Sequence, residues 1–295
     1  YGIIFKAFIK NTLGGTPIAA KFMQSTDGNW NELKINQIVS QELLESKKSQ
    51  HFLLTYKTFD CKLMLESSSL SSSASFYSSS SSKLTFDKIL QSNYVVSLNE
   101  LAHGDLKTLL TDESVLSNRD VMSNLACQCM LAIATFHKFG YIHKDCHWGN
   151  FLYHKTAETN GYFQYKINDK IYYLKNMGYN IMIYDFGKAK EYEFARHSHI
   201  EKSALDYRRI ANAFISKTNG GWLSHEYDID IFTQMYMELL KDNIDNMFHY
   251  YKNEDDIIKT VLISLKNILL DAKPTNAKII NSKPFVIDDT IRHKE

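Results

Sequence analysis

Proline is nearly missing from this 295-residue chain, with three residues, and cysteine is scarce, with four. The cysteines, Cys61, Cys127, Cys129 and Cys146, form neither a disulfide framework nor a paired zinc knuckle. That excludes a small disulfide-stapled secreted scaffold and leads us to expect an intracellular, cytoplasmic protein. Excess charge is absent as well. Thirty-four basic residues against 33 acidic ones leave a net charge of +1, so no strong field argues for nucleic acid or an anionic membrane as a partner. No apolar run approaches the roughly eighteen residues of a spanning helix, and no secretory signal opens the chain. Few prolines beside abundant Ile, Lys, Asn and Tyr suggest an AT-rich source genome and say nothing of activity. The chain starts on Tyr1 and not on methionine, so the expectation is a frame cut from a longer one. What remains is ordinary for a folded soluble protein, with 44% hydrophobic and 23% charged residues, enough to fill one large domain or two lobes.

The N-terminal part reads as strands. "IIFKAFI" (3–9) and "PIAAKFM" (17–23) are short, apolar and separated by the turn residues of "KNTLGGT". Residues 31–46 read as a helix, because Leu33, Ile35, Ile38, Val39 and Leu43 recur at helical spacing. "HFLLTYKTFDCKL" returns to strand character. The serine tract "SSSLSSSASFYSSSSS" (67–82) lacks the apolar content to fold and is expected as a disordered insertion. "NYVVSLNEL" is again a strand, and "AHGDLKTLL" leads into a helix. Residues 120–139 predict a buried, largely apolar helix ended by Gly140. "YFQYKINDKIYYLKN" reads as a hairpin and "NIMIYDFG" as a strand. Beyond it, "DYRRIANAFI", "DIDIFTQMYMELL" (228–240) and "DDIIKTVLISLKNILL" (255–270) predict a mainly helical remainder.

One stretch concentrates chemistry: "GYIHKDCHWGNFLYH" (140–154). By residue type, His143, Cys146, His147 and His154 could ligate zinc. The same residues could equally be polar groups satisfied in a turn, or part of a catalytic loop. The wider pattern favours the loop. "HKDCHWGN" carries an Asp and an Asn with four residues between them, directly after the buried helix and before an apolar segment. "YDFG" ends a later strand in Asp185, and "AAK" sets Lys21 on an early strand with Glu32 in the helix that follows. Phosphoryl transfer needs such parts: a carboxylate for the attacking hydroxyl, oxygen ligands for magnesium and a lysine for the nucleotide phosphates. Each match is weak alone; their order makes the combination specific.

With those motifs in place, the chain resembles the eukaryotic-type protein kinase superfamily over residues 1–240. "HKDCHWGN" is similar to the catalytic-loop motif HRDLKPEN, and closer to the HRDLHWGN of haspin-like kinases. Divergent serine/threonine kinases of this look are encoded by large DNA viruses, so a viral source is expected. The resemblance implies an α+β, two-lobed kinase-like fold, with a small β-rich lobe at 1–101 and a larger helical lobe at 102–295. It implies ATP and Mg²⁺ as cofactors, Asp145 as catalytic base, and Asn150 and Asp185 as magnesium ligands. Lys21 would grip the phosphates and pair with Glu32, or else with Glu42. Tyr1, Gly2, Ile3 and Ile4 resemble the end of a glycine-rich loop and its strand. Ile4 and Ala19 would cover adenine from above and Leu152 from below, although plain core packing explains the three equally well. Glu100 to Ala102 would form the hinge that meets adenine, Asp105 would reach the ribose, and Asp206 resembles the buried aspartate that supports the catalytic loop.

Three departures bear on the substrate. Lys144 stands where an arginine is usual and keeps the charge without the bidentate geometry. His147 replaces a lysine that would stabilise the transferred phosphate, a replacement typical of haspin-like, aminoglycoside and choline kinases; as a catalytic residue, a protonated His147 would still donate to the phosphoryl group. No APE motif closes "KAKEYEFARHSHIEKSALDYRRI". The leading expectation is an ATP-dependent serine/threonine-protein kinase acting on an unidentified protein, with no nucleic acid and no membrane as partners. The alternatives are a small-molecule kinase and a pseudokinase binding module.

Overall fold

The computed structural model describes residues 2–9, 15–60, 93–192, 197–215, 254–265 and 268–293. Tyr1, the serine tract at 67–82 and the helix expected over 228–240 lie outside the described residues. Contacts along the chain gather into two units, Tyr1–Gln41 with Leu53–Ala102, and Glu42–Phe52 with His103–Glu295.

The first unit is built on four antiparallel strands, β1 (Ile3–Ile9), β2 (Thr16–Gln24), β3 (Thr55–Asp60) and β4 (Tyr94–Glu100), in the order β1-β2-β4-β3. Alternation sorts their side chains between two faces. One face gathers Phe5, Ala20, Tyr94 and Val96, with Ile3, Phe22, Phe59 and Leu98 packed against them. Phe5 meets Phe22 edge to face at 5.4 Å, a favoured aromatic geometry. The opposite face presents Met23 and Val95, which bury together with Leu33 of helix α1 (Asp27–Val39). Thr26 caps α1 by accepting the Asn29 amide at 3.3 Å, so the helix starts ahead of residue 31, at the capping residue and not at the first apolar one. Beyond Val39 the chain winds on as a π-helical turn, Ser40–Glu45.

In the second unit, the helix Arg119–Phe139 is buried along nearly its whole length. Gly140 closes it at φ 109°, with its amide on the Phe136 and His137 carbonyls; only glycine enters that region without steric cost. The strands are β5 (Gly104–Asp105), β6 (Tyr141–Ile142), β7 (Phe151–Lys155), β8 (Tyr162–Ile167), β9 (Lys170–Lys175), β10 (Tyr179–Ile183), β11 (Lys190–Glu191), β12 (Leu269–Leu270) and β13 (Phe285–Ile287). They form three sheets, ordered β10-β7-β5, β11-β6 and β12-β9-β8-β13. Polar residues of the buried helix serve the strand edges. Gln128 accepts the Ile181 amide at 2.8 Å and donates to the Tyr179 carbonyl at 2.9 Å, and Asn124 donates to the Lys175 carbonyl at 2.7 Å.

Helices and strands are thus mixed, as an α+β fold requires. The expectation of a mainly helical remainder needs correction. "DDIIKTVLISLKNILL" is not one helix: helix Glu254–Ser264 stops, and Leu269–Leu270 pair with Leu174 and Tyr173. At the other edge, Phe285–Ile287 run parallel to Tyr165–Ile167. The β8–β9 hairpin leaves backbone donors and acceptors open on both edges, and satisfying them outweighs the local helical periodicity. Among the described residues, no helix is long and apolar enough to cross a membrane.

Candidate catalytic site

The loop after β6 is held from beneath by Asp206. This aspartate lies on helix His197–Ile215 and is fully buried. Its Oδ2 accepts the His143 amide at 2.8 Å, its Oδ1 accepts the Lys144 amide at 2.8 Å, and His137 Nε2 approaches at 3.1 Å. One turn along the same helix, Arg209 donates to the Lys144 carbonyl. Lys144 itself sits at φ 68°, a left-handed conformation that a lysine adopts only when its surroundings enforce it.

His143 joins two parts of the loop system. It is fully buried, its Nε2 donates to the Tyr184 carbonyl at 2.9 Å, and its Nδ1 accepts the Asp145 amide at 3.3 Å. Burial lowers its pKa below the ordinary value, against the pull of Asp206. The neutral ring serves both bonds, since a second ring proton would face the Asp145 amide.

Asp145 is part-exposed, and basic side chains surround it. Lys188 Nζ lies 2.8 Å from Oδ2, His147 Nε2 lies 4.0 Å from Oδ2, and Arg209 lies 3.6 Å from Oδ1. Burial alone would raise its carboxyl, but Lys188, followed by His147 and His143, outweighs that and holds it below the usual carboxylate range. The ionised form needed for a base is therefore favoured. Asn150 is buried and donates its amide nitrogen to the Asp145 carbonyl at 2.9 Å, which commits the nitrogen. The Asn150 carbonyl accepts the Tyr184 amide at 2.9 Å, so the chain entering Asp185 is fastened to the loop. Asp185 adopts φ 65°, ψ 72°, a strained backbone of the kind that gathers at functional sites.

The first unit supplies a second group of predicted residues. Lys21 and Glu32 pair at 2.6 Å, with side chains 7% and 2% exposed; Glu32 is no solvated helix residue. Glu42, the other candidate, pairs with His293 at 2.8 Å. Ile4 stands directly opposite Lys21 across β1 and β2, on the face shared by Ala19. Ile4 is 49% exposed. Ile3 takes the other face, with Phe5. A Cβ at Gly2 would come within 2.9 Å of the Phe22 carbonyl, so this position admits no larger residue without moving β2. Glu100 is engaged within its own unit: its amide donates to the Leu54 carbonyl at 2.9 Å and its carboxylate accepts the Leu54 amide at 2.8 Å. In the second unit, Asp105 caps the following helical turn through the Thr108 amide at 2.7 Å, and Leu152 lies opposite it across β5 and β7.

The zinc alternative finds no support. Among the described residues, no group of three or more His, Cys, Asp or Glu could hold a metal ion. Both ring nitrogens of His143 are in use, burial and Asp206 push the Cys146 thiol up, and His154 Nδ1 lies 3.0 Å from His103 Nδ1. Two contributors escaped the sequence reading. Lys188 was hidden in a basic run, and Arg209 lies 64 positions past Asp145; its only local signal was its place three residues after Asp206.

Comparison with protein families adds an independent finding. Residues 81–211, less than half of the chain, match the family model described as ABC1 atypical kinase-like domain, a likeness that supports a protein-kinase-like reading. No curated protein matches the chain.

Proposed function

We propose that the chain is an ATP-dependent phosphotransferase that moves the γ-phosphoryl group to a hydroxyl acceptor, with protein serine or threonine as the leading acceptor. The observation that carries this reading is Asp145, kept ionised at 2.8 Å from Lys188 on a loop held by the buried Asp206, with Asn150 and Asp185 fastened beside it. Asp145 accepts the hydrogen bond of the acceptor hydroxyl and takes its proton as the new oxygen–phosphorus bond forms. The bond to the leaving ADP breaks in the same event. Asn150 Oδ1 and the Asp185 carboxylate form a hard oxygen donor set that fits magnesium, an ion commonly held by one or two protein ligands plus phosphates. Bound magnesium would supply charge neutralisation for the phosphates. The buried Lys21–Glu32 pair fits the expected phosphate-gripping lysine, whose Glu partner sets its position.

A second reading, a small-molecule acceptor, draws support from His147, which stands in the lysine position and is 53% exposed. One assay separates the two: radiolabelled ATP with Mg²⁺, offered generic proteins, aminoglycosides and choline, for wild type and Asp145→Ala. Label should pass to protein and fall at least about 100-fold in the variant, the scale of lost general-base catalysis. Equal transfer by both chains refutes the reading, and label on small molecules alone promotes the second acceptor class.

A further inference from the structure

Lys188 is placed with more care than a surface lysine needs. It ends the short turn Phe186–Lys188. Before it, Phe186 is 1% exposed and stacks on Phe136 at 4.8 Å. After it, the buried Ala189 donates its amide to the Phe186 carbonyl at 2.9 Å, and Lys190–Glu191 pair with Ile142 and Tyr141. The backbone is thereby anchored on both sides, while the ammonium stays accessible. The side chain is 66% exposed and its Nζ lies 2.8 Å from Asp145 Oδ2.

We propose that Lys188 is a catalytic residue whose ammonium contacts the transferred phosphoryl group, taking the part of the catalytic-loop lysine whose position His147 occupies. This rests on the phosphotransferase reading above. A hydroxyl that gives its proton to Asp145 must lie within about 2.6–3.2 Å of the carboxylate. Lys188 lies at the same range, so the hydroxyl and the phosphoryl group it attacks both fall within its reach. The other two basic groups suit the task less well. His147 is farther, at 4.0 Å, and its Nδ1 accepts the Gly149 amide. Arg209 is 3.6 Å from the other carboxylate oxygen and is bound to the Lys144 carbonyl, which makes it a support of the loop. In the step itself, the acceptor oxygen bonds to the γ-phosphorus, the bond to ADP breaks and the proton goes to Asp145. Lys188 keeps its proton throughout and acts by charge on the phosphoryl oxygens.

The test compares the full chain with Lys188→Ala, Lys188→Arg and His147→Ala, each first matched to wild type by far-ultraviolet circular dichroism. Two quantities are read: kcat for phosphate release and self-labelling with MgATP, and the affinity for MgADP with and without aluminium fluoride, a mimic of the transferred group. For Lys188→Ala, kcat should fall about 100-fold and the tightening of MgADP by aluminium fluoride should vanish, with MgADP affinity alone within about twofold of wild type. Lys188→Arg should regain part of both, and His147→Ala should lose less than Lys188→Ala. An unchanged or faster Lys188→Ala would show the ion pair to be neutral or masking and would overturn the proposal, as would retained tightening by aluminium fluoride or a larger loss from His147→Ala. A wild-type chain that neither binds MgADP nor releases phosphate removes the phosphotransferase reading, and Lys188 with it. An active wild type beside an indifferent Lys188→Ala removes Lys188 alone.

Discussion

His51 shows how one residue ties stability to pH. Its imidazole is sealed from water, with Nδ1 on the Ile181 carbonyl at 2.8 Å and Nε2 on the Tyr165 hydroxyl at 2.9 Å. A carbonyl only accepts, so Nδ1 carries the proton and Nε2 accepts from the tyrosine, which is the neutral ring. Burial, partly offset by the Ile181 bond, lowers its pKa from 6.5 to about 4. Below pH 6.5 the unfolded chain therefore binds a proton that the folded chain refuses. The stabilisation is complete above that value and is lost as pH falls toward and through about 4. Its full size is about 3 kcal/mol. Urea unfolding of the second unit should show a lower midpoint at pH 4.5 than at pH 7. His51→Asn, which keeps a donor for Ile181 but has no titrating ring, should start lower at pH 7 and drop less. Equal drops in both proteins would show that another group governs the acid response. The fully buried His143 is shifted in the same direction, so the variant should retain some acid sensitivity.

Among the elements, the link between β2 and α1 depends on a charge pair almost closed to water. Lys21 and Glu32 meet at 2.6 Å with little exposure on either side, and apolar packing of Met23 and Val95 on Leu33 flanks them. Taking the carboxylate from a buried ammonium costs about 3–5 kcal/mol, far more than trimming an exposed glutamate. Glu32→Ala should therefore destabilise the first unit by about 3 kcal/mol or more in chemical denaturation. A change below about 0.5 kcal/mol, as for an ordinary surface residue, would refute the buried-pair account. Helical periodicity over residues 31–46 favoured Glu32 and left Glu42 as the runner-up. The difference lies in the π-helical turn Ser40–Glu45, which breaks the regular spacing, and in His293, 251 positions away, which takes Glu42.

At the scale of the whole molecule, the last described residues complete the sheet of the second unit. Phe285, Ile287 and Ile291 are buried, Lys166 meets Asp288 at 2.9 Å, and Lys138 meets Asp289 at 2.9 Å. Burying each apolar side chain contributes about 2 kcal/mol, and three of them rival the stability of a typical domain. A chain ending at residue 281 should lose the cooperative thermal transition of the second unit in near-ultraviolet circular dichroism; an unchanged melting temperature would contradict this role for β13. The same long reach separates what could be read in advance from what could not. β1, β2, the helix ended by Gly140, the β8–β9 hairpin and β10 were legible because burying one face, or a whole rod, imposes a pattern on neighbouring residues. Asp145 and Asn150 were legible because a single loop carries both. The grip of Asp206 on the loop amides, the approach of Lys188 to Asp145, the pairing of Glu32 with Lys21 and the capture of β12 and β13 by the hairpin join residues whose sequence separation leaves no local pattern. They follow from which buried polar groups and open strand edges find partners once the chain is packed, and packing alone makes that choice.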